Sequence, residues 1–106
     1  MENLIETNII PTLNNKPTYI SKVSFKTVPV KLATSIQLSI ISGKNVEVMA
    51  MGKDSIFIAS KAICITQGFA EQNGLDLHWK PSYKTVMGEK DGQPRSIMSW
   101  FVWTEN

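Results

Sequence analysis

The sequence contains one cysteine, one histidine and no long hydrophobic run, and each shortage excludes a class of protein. A lone Cys64 forms no internal disulfide, and no basic segment followed by an apolar one opens the chain, so we expect a cytoplasmic rather than a secreted protein. No stretch is long enough to cross a bilayer, so no membrane partner is expected. Cys64 and His78 together fall short of the four donors that a zinc site needs.

Catalytic groups are equally scarce. No serine or cysteine motif for nucleophilic catalysis accompanies His78. The lone glycine at Gly52 makes too short a joint for a P-loop or a dinucleotide-binding motif, and Asp54 is better explained as a helix cap. The sequence therefore predicts a protein that is not an enzyme and that has no catalytic residues, bound metal or cofactor.

The basic residues are concentrated in the middle of the chain. The net charge is only +2, but all eleven basic residues lie between Lys16 and Arg95, where six acidic residues leave a net charge of +5. The other acids, Glu2, Glu6 and Glu105, lie in the tails. With 106 residues, 42% of them hydrophobic, the chain forms one domain with a modest core. The folded body is therefore more basic than the charge of the whole chain indicates.

Residues 1–18 differ in character from the rest of the chain. They contain Pro11, Pro17, four asparagines and scattered apolar residues without a sustained period. This pattern predicts an extended or disordered leader over residues 1–18 and a single domain over residues 19–106. The apolar residues of the leader would allow it to dock on the domain or on a partner.

Six segments of strand or helix periodicity follow the leader. In chain order they are a strand over Tyr19–Ser24, a helix entered at Pro29 and ended by Gly43, a strand over Val46–Met51, a helix that stops at Asn73–Gly74, and two strands from Leu75 to Met87 and from Ser96 to Thr104 around a hairpin tip at Gly88–Gly92. Asp54 or Ser55 would cap the second helix. Its apolar stripe is expected at Ile58, Ala62, Ile65 and Phe69.

The last strand is apolar on both faces, because Phe101 and Trp103 alternate with Trp100 and Val102. Right-handed crossovers put both helices on one side of a four-stranded mixed sheet, so the second face needs another cover. We expect self-association as a homodimer or higher homo-oligomer, with the leader as the competing cover.

The junction between the second strand and the second helix, Gly52–Lys53, has the character of an anion site. A strand that feeds directly into a helix presents unpaired backbone N–H groups, and Lys53 adds a positive charge beside them. The alternative is a solvated loop lysine. One such site is too weak to bind a ligand on its own, since a helix terminus contributes only about 0.3–1 kcal/mol to the binding of an anion.

Several short pieces resemble one family in order and spacing. They are Lys22-Val23-Ser24, Lys26-Thr27, Pro29-Val30-Lys31-Leu32-Ala33, Lys61-Ala62-Ile63 with Gly68-Phe69, Gly74-Leu75-Asp76-Leu77 and Pro81-Ser82-Tyr83. Over residues 20–104 the chain resembles the stage V sporulation protein S family and, more distantly, the Alba nucleic-acid-binding chromatin proteins. The resemblance implies an α+β, two-layer Alba/initiation-factor-3-C-like fold of order βαβαββ, with strand order 1-2-4-3. The hairpin from Met87 to Ser96 is longer than in the sporulation family and is similar to the basic arm of Alba proteins.

The resemblance implies a regulatory protein of bacterial development or chromosome handling that binds DNA or RNA through phosphates. Its expected binding residues are Lys22, Lys26, Lys31, Gly52, Lys53, Tyr83, Lys84, Lys90 and Arg95. The hairpin could equally be an ordinary solvated one, and Trp79, Tyr83, Trp100 and Trp103 could be core or interface residues rather than base-stacking ones. The alternative function is a protein-interaction module without nucleic-acid binding. We expect a cytoplasmic location, with the nucleoid as one place within it.

Overall fold

The computed structural model describes residues 15–105, and within them the predicted order of strands and helices is confirmed. The elements are β1 (Thr18–Val23), α1 (Pro29–Ile41), β2 (Asn45–Met51), α2 (Lys53–Gln72), β3 (Leu77–Met87) and β4 (Pro94–Thr104). The predictions for the leader up to residue 14 and for residue 106 lie outside the described residues. Residues 16 and 17 are tied to the domain, since Asn45 N donates to Pro17 O at 2.8 Å and Asn45 Nδ2 donates to Lys16 O at 3.3 Å.

The four strands form one mixed sheet in the predicted order β1-β2-β4-β3. β1 pairs with β2 in parallel, and β4 lies antiparallel to both β2 and β3. Consequently β1, β2 and β3 all run in the same direction, and their carboxyl ends meet at one end of the sheet. This two-layer α+β architecture is the one that the resemblance implied.

Helix α1 begins and ends where the sequence predicts. Pro29 occupies the first helical turn, where its missing N–H is no loss, and Gly43 takes a positive φ of 85° just after the last turn. Four apolar side chains at helical spacing are buried against the sheet and α2: Leu32, Ala33, Ile36 and Ile40.

The face that helix α2 presents to the core overlaps the predicted stripe but does not match it fully. Of the predicted residues, Ala62 is buried, and Ile58 and Ile65 pack against the core. The buried residues of the helix are Ser55, Ala59, Ala62, Ile63, Thr66 and Ala70, whereas Ile58, Ile65 and Phe69 are only half-buried. All of the buried side chains except Ile63 are small, and small residues allow α1 and α2 to approach each other closely. Cys64 lies on the exposed side of the same helix.

The two faces of the sheet are unequal. Val46 and Val48 of β2 pair with Val102 and Trp100 of β4, and all four side chains belong to the core beneath the helices. On the opposite face Phe101 is only half-buried, as are several of its apolar neighbours. The prediction that β4 is apolar on both faces therefore corresponds to one core face and one partly exposed face.

Candidate nucleic-acid interface

The end of the sheet where β1, β2 and β3 finish is also where β4 and both helices begin, as each helix follows directly from one of these strands. We call this the hairpin end, and it comprises residues 24–31 with the first turn of α1, residues 52–54 at the start of α2 and the β3–β4 hairpin over residues 84–97. Six of the predicted basic residues lie there: Lys26, Lys31, Lys53, Lys84, Lys90 and Arg95. The topology thus gathers residues that are up to 69 positions apart in the chain.

The joint between β2 and α2 is built on a glycine conformation. Gly52 is the N-cap of α2 with φ 90° and ψ 154°, and no side chain caps this helix. The expectation that Asp54 or Ser55 caps it is wrong, because the helix already begins at Lys53 and Ser55 is turned into the core. The first intrahelical hydrogen bond runs from Ile56 N to Gly52 O at 2.9 Å. The three N–H groups before it therefore point out of the helix start, beside an exposed Lys53.

The turn before α1 is held by its own side chains. Ser24 N donates to Thr27 Oγ1 at 3.0 Å, and Lys26 N donates to Ser24 Oγ at 3.1 Å. This fixed turn presents the exposed Lys26, whose Nζ lies 5.6 Å from the centre of the exposed Phe25 ring. Such a cation–π contact contributes about 0.5–1 kcal/mol at an exposed site and still leaves the ammonium open to an anion.

The start of α1 resembles the start of α2 but offers one N–H group fewer, because Pro29 has none. The N-cap residue is Val28, and no side chain caps the helix. Leu32 N makes the first intrahelical hydrogen bond, to Val28 O at 3.0 Å, and the exposed Lys31 lies in the first turn. Two uncapped helix starts, each with a lysine, therefore face the same end of the molecule.

The β3–β4 hairpin projects beyond the rest of the sheet. Pairing with β2 ends at Met51–Ile97, but β3 and β4 pair for three further rows. At about 3.3 Å per residue these rows add roughly 10 Å before the turn begins. The exposed Lys90 lies in that turn, and the exposed Lys84 lies level with Met51, at the base of the projection.

An acid–base pair organises the tip of the hairpin. Gln93 N donates to Asp91 Oδ1 at 3.0 Å, and Arg95 Nη2 donates to Asp91 Oδ2 at 2.6 Å. The backbone hydrogen bond first, and then the guanidinium, lower the pKa of Asp91 below its ordinary value of 3.8. Arg95 is therefore partly engaged within the protein, although its other N–H groups can still donate.

The charges at the two ends of the sheet differ. The hairpin end carries the six basic residues and three acids, Asp54, Glu89 and Asp91. The other end carries Glu71, Asp76 and Glu105 with Lys16 and Lys44.

Lys22 lies at neither helix start, because it is the next-to-last residue of β1 and alternates with the core residue Val23. It is exposed on the sheet face away from the helices.

Of the four aromatic residues considered for base stacking, two are exposed. Tyr83 is 67% exposed and Trp79 is 41% exposed, whereas Trp100 is buried in the core at 7%. Trp103 is half-buried and stacks on His78 with 5.5 Å between ring centres. The sequence reasoning missed Lys80, which lies next to Trp79 on β3 and is exposed. Its signal was the alternation of aromatic and basic residues from Trp79 to Lys84.

Among residues 15–105 no three histidine, cysteine or acidic side chains are grouped so as to hold a metal ion. In the same residues neither helix combines the length and the apolar character that a membrane-spanning segment needs. His78 Nε2 lies 3.2 Å from Asp76 Oδ2, at the end of the sheet opposite the hairpin.

Comparison with known proteins identifies one family. The sequence model described as "Stage V sporulation protein S (SpoVS)" matches residues 20–105. A comparison with curated proteins returned no match.

Proposed function

The chain belongs to the stage V sporulation protein S family, and we propose that this sporulation-related protein binds DNA or RNA through their phosphate groups. The site is the hairpin end, and the protein acts without catalysis. A nucleic-acid ligand places its action in the cytoplasm, including the nucleoid.

The observation that carries the proposal is the convergence of two uncapped helix starts and six basic residues at one end of the sheet. Helix starts favour anions because their N–H groups have no internal partner, and adjacent lysines add charge. Lys26, Lys31, Lys53 and the hairpin supply separate contacts, which together can reach the affinity that one contact cannot. Contacts to phosphates carry no sequence information, so we expect weak sequence preference.

A homodimer would strengthen this binding by presenting two hairpin ends to one polymer. The half-buried apolar side chains around Phe101, on the sheet face away from the helices, support self-association through that face. The same observation favours the second candidate function, a protein-interaction module in which the lysines only provide solubility.

A charge-reversal pair tests the site. The double variant Lys26→Glu, Lys53→Glu should lose at least tenfold in affinity for a fluorescent oligonucleotide, because two phosphate contacts are replaced by repulsion. Thermal unfolding should stay nearly unchanged, since both side chains are exposed. The matched control is Lys44→Glu, Lys61→Glu, which makes the same charge change at exposed positions away from the hairpin end.

Salt dependence separates the two candidate functions. Phosphate binding releases counterions, so the affinity of the unaltered protein should fall steeply with salt, and the slope should become shallower by about two in the Lys26→Glu, Lys53→Glu variant. Equal losses in the test and control variants would remove the hairpin end from the site. Binding of a protein partner that is insensitive to salt would favour the interaction module.

A further inference from the structure

Strand β3 carries an exposed stripe that neither helix covers. The stripe lies on the same sheet face as the helices, because Trp79, Pro81 and Tyr83 pair with Val102, Trp100 and Met98 of β4, which belong to or pack against the core. The contacts of β3 are chiefly with β4, and those of α2 are chiefly with α1, β1 and β2. The stripe of Trp79, Pro81 and Tyr83 is therefore open to solvent from the middle of β3 towards the hairpin.

The tyrosine of this stripe is held in place although it is exposed. Its hydroxyl donates to Ser96 Oγ at 2.8 Å, which ties the far end of the ring to β4. The ring nevertheless remains 67% exposed. A flat ring that is fixed and open loses little freedom when a partner stacks on it, so it is prepared for binding.

The other side of the same strand is basic. Lys80 and Lys84 alternate with the stripe residues, and both are exposed. From Leu77 to Met87 the strand contains no acidic residue. Because β3 is at the edge of the sheet, both lysines can reach around it to a ligand that lies along the stripe. Aromatic rings on one face and cations along the edge complement a polymer of flat bases and phosphates.

The edge is poorly suited to a protein strand. Pro81 has no N–H to donate to an added strand, and lysines on an edge strand oppose pairing with another chain. A second copy of this chain or an extended peptide would therefore find the edge of β3 blocked near its middle. An apolar partner would also have to cover Lys80 and Lys84.

We propose that the stripe formed by Trp79, Pro81 and Tyr83 is a stacking platform for the unpaired bases of single-stranded nucleic acid. This inference rests on the proposed function, and it specifies the substrate class. In a duplex the faces of the bases are stacked on one another, whereas a single strand can offer them to Trp79 and Tyr83. The platform leads into the projecting hairpin, so one strand can contact the stripe and the basic hairpin end together.

The test compares a single-stranded oligonucleotide with a duplex of the same length by fluorescence anisotropy. Trp79→Ala and Tyr83→Ala should each weaken single-strand binding by roughly 5- to 150-fold, the range that loss of one stacked base gives. The affinity of the same variants for duplex should change less than threefold. Retained duplex binding would also show that the variants fold. Trp79→Phe and Tyr83→Phe should retain most of the affinity because they keep a ring.

The control is Tyr19→Ala, since Tyr19 is exposed to nearly the same extent as Trp79, 42% against 41%, but lies on β1 at the opposite edge of the sheet. It should leave single-strand affinity unchanged. If the unaltered protein binds duplex and neither Trp79→Ala nor Tyr83→Ala weakens single-strand binding, the platform is overturned and the proposed function still stands. Equal losses for both polymers would overturn the platform as well. Failure of the unaltered protein to bind either polymer would refute both proposals.

Discussion

Replacing Gly52 with alanine tests whether the start of α2 depends on a backbone conformation that only glycine tolerates. With φ 90° and ψ 154°, Gly52 occupies a region that side-chain-bearing residues avoid. A Cβ added there would meet no atom within 4 Å, so steric crowding by neighbours contributes nothing. The whole effect should therefore be backbone strain, about 1–3 kcal/mol of lost stability.

Gly68 provides a matched control within the same helix. It lies in the interior of α2, and a Cβ there would also meet no atom within 4 Å. Gly68→Ala should therefore stabilise the protein by about 0.5–1 kcal/mol, because alanine has less conformational freedom to lose in a helix. The same chemical change should thus have opposite signs at two positions 16 residues apart.

Thermal unfolding followed by circular dichroism measures both effects. For a domain of this size 1 kcal/mol corresponds to about 4–8 °C in Tm, so Gly52→Ala should lower Tm by at least about 4 °C and Gly68→Ala should raise it by a few degrees. A Tm for Gly52→Ala equal to or above that of the unaltered protein would refute the reasoning. It would mean that α2 can start in another conformation at no penalty.

Two further predictions concern the hairpin tip and self-association. The pKa of Asp91 is lowered in the folded protein. The stabilisation that its carboxylate gives to the hairpin tip should therefore be fully present above the ordinary pKa of the group, and it should be lost as the pH falls through the lowered pKa. An NMR titration of the Gln93 amide should show this transition, and Asp91→Asn should abolish it; an identical titration in that variant would assign the transition to another group. Phe101→Lys should convert the proposed dimer to a monomer by light scattering, since it introduces charge into the half-buried apolar face. An unchanged mass would place the interface elsewhere.

The sequence predicts the fold well wherever a residue has one strong local preference. Pro29 starts α1, and Gly43 and Gly74 follow the two helices with φ of 85° and 67°. Simple alternation also predicts which face of β2 meets the core, and Val46 and Val48 are both fully buried there. The strand order required more than local pattern, and it came from the resemblance to a known family.

The errors lie in α2 and arise from tertiary packing. Hydrophobic periodicity selects Ile58 and Ile65, which pack at the margin of the core, whereas the smaller Ala59 and Thr66 are buried more deeply. The prediction that Asp54 or Ser55 caps α2 was also wrong because local preference did not decide the structure. Asp54 has a strong local preference for the N-cap, yet the direct turn out of β2 at Gly52 starts the helix before it.

The composition of the candidate site could be predicted from the sequence, but its geometry could not. Lys26, Lys53 and Lys90 are conspicuous in the sequence, but their placement at one end depends on the parallel course of β1, β2 and β3. The engagement of Arg95 with Asp91 depends on the hairpin turn and has no clear signal in spacing alone.

The projecting hairpin has a consequence for how this protein can change over evolutionary time. From Lys84 to Ile97 no side chain is buried in the core, and the tip is closed by its own hydrogen bonds, such as Gly88 N to Gln93 O. Residues can therefore be inserted or removed in this segment without disturbing the helices. A longer or shorter tip would change how far the hairpin projects beyond the sheet, while the buried core of the domain would stay the same.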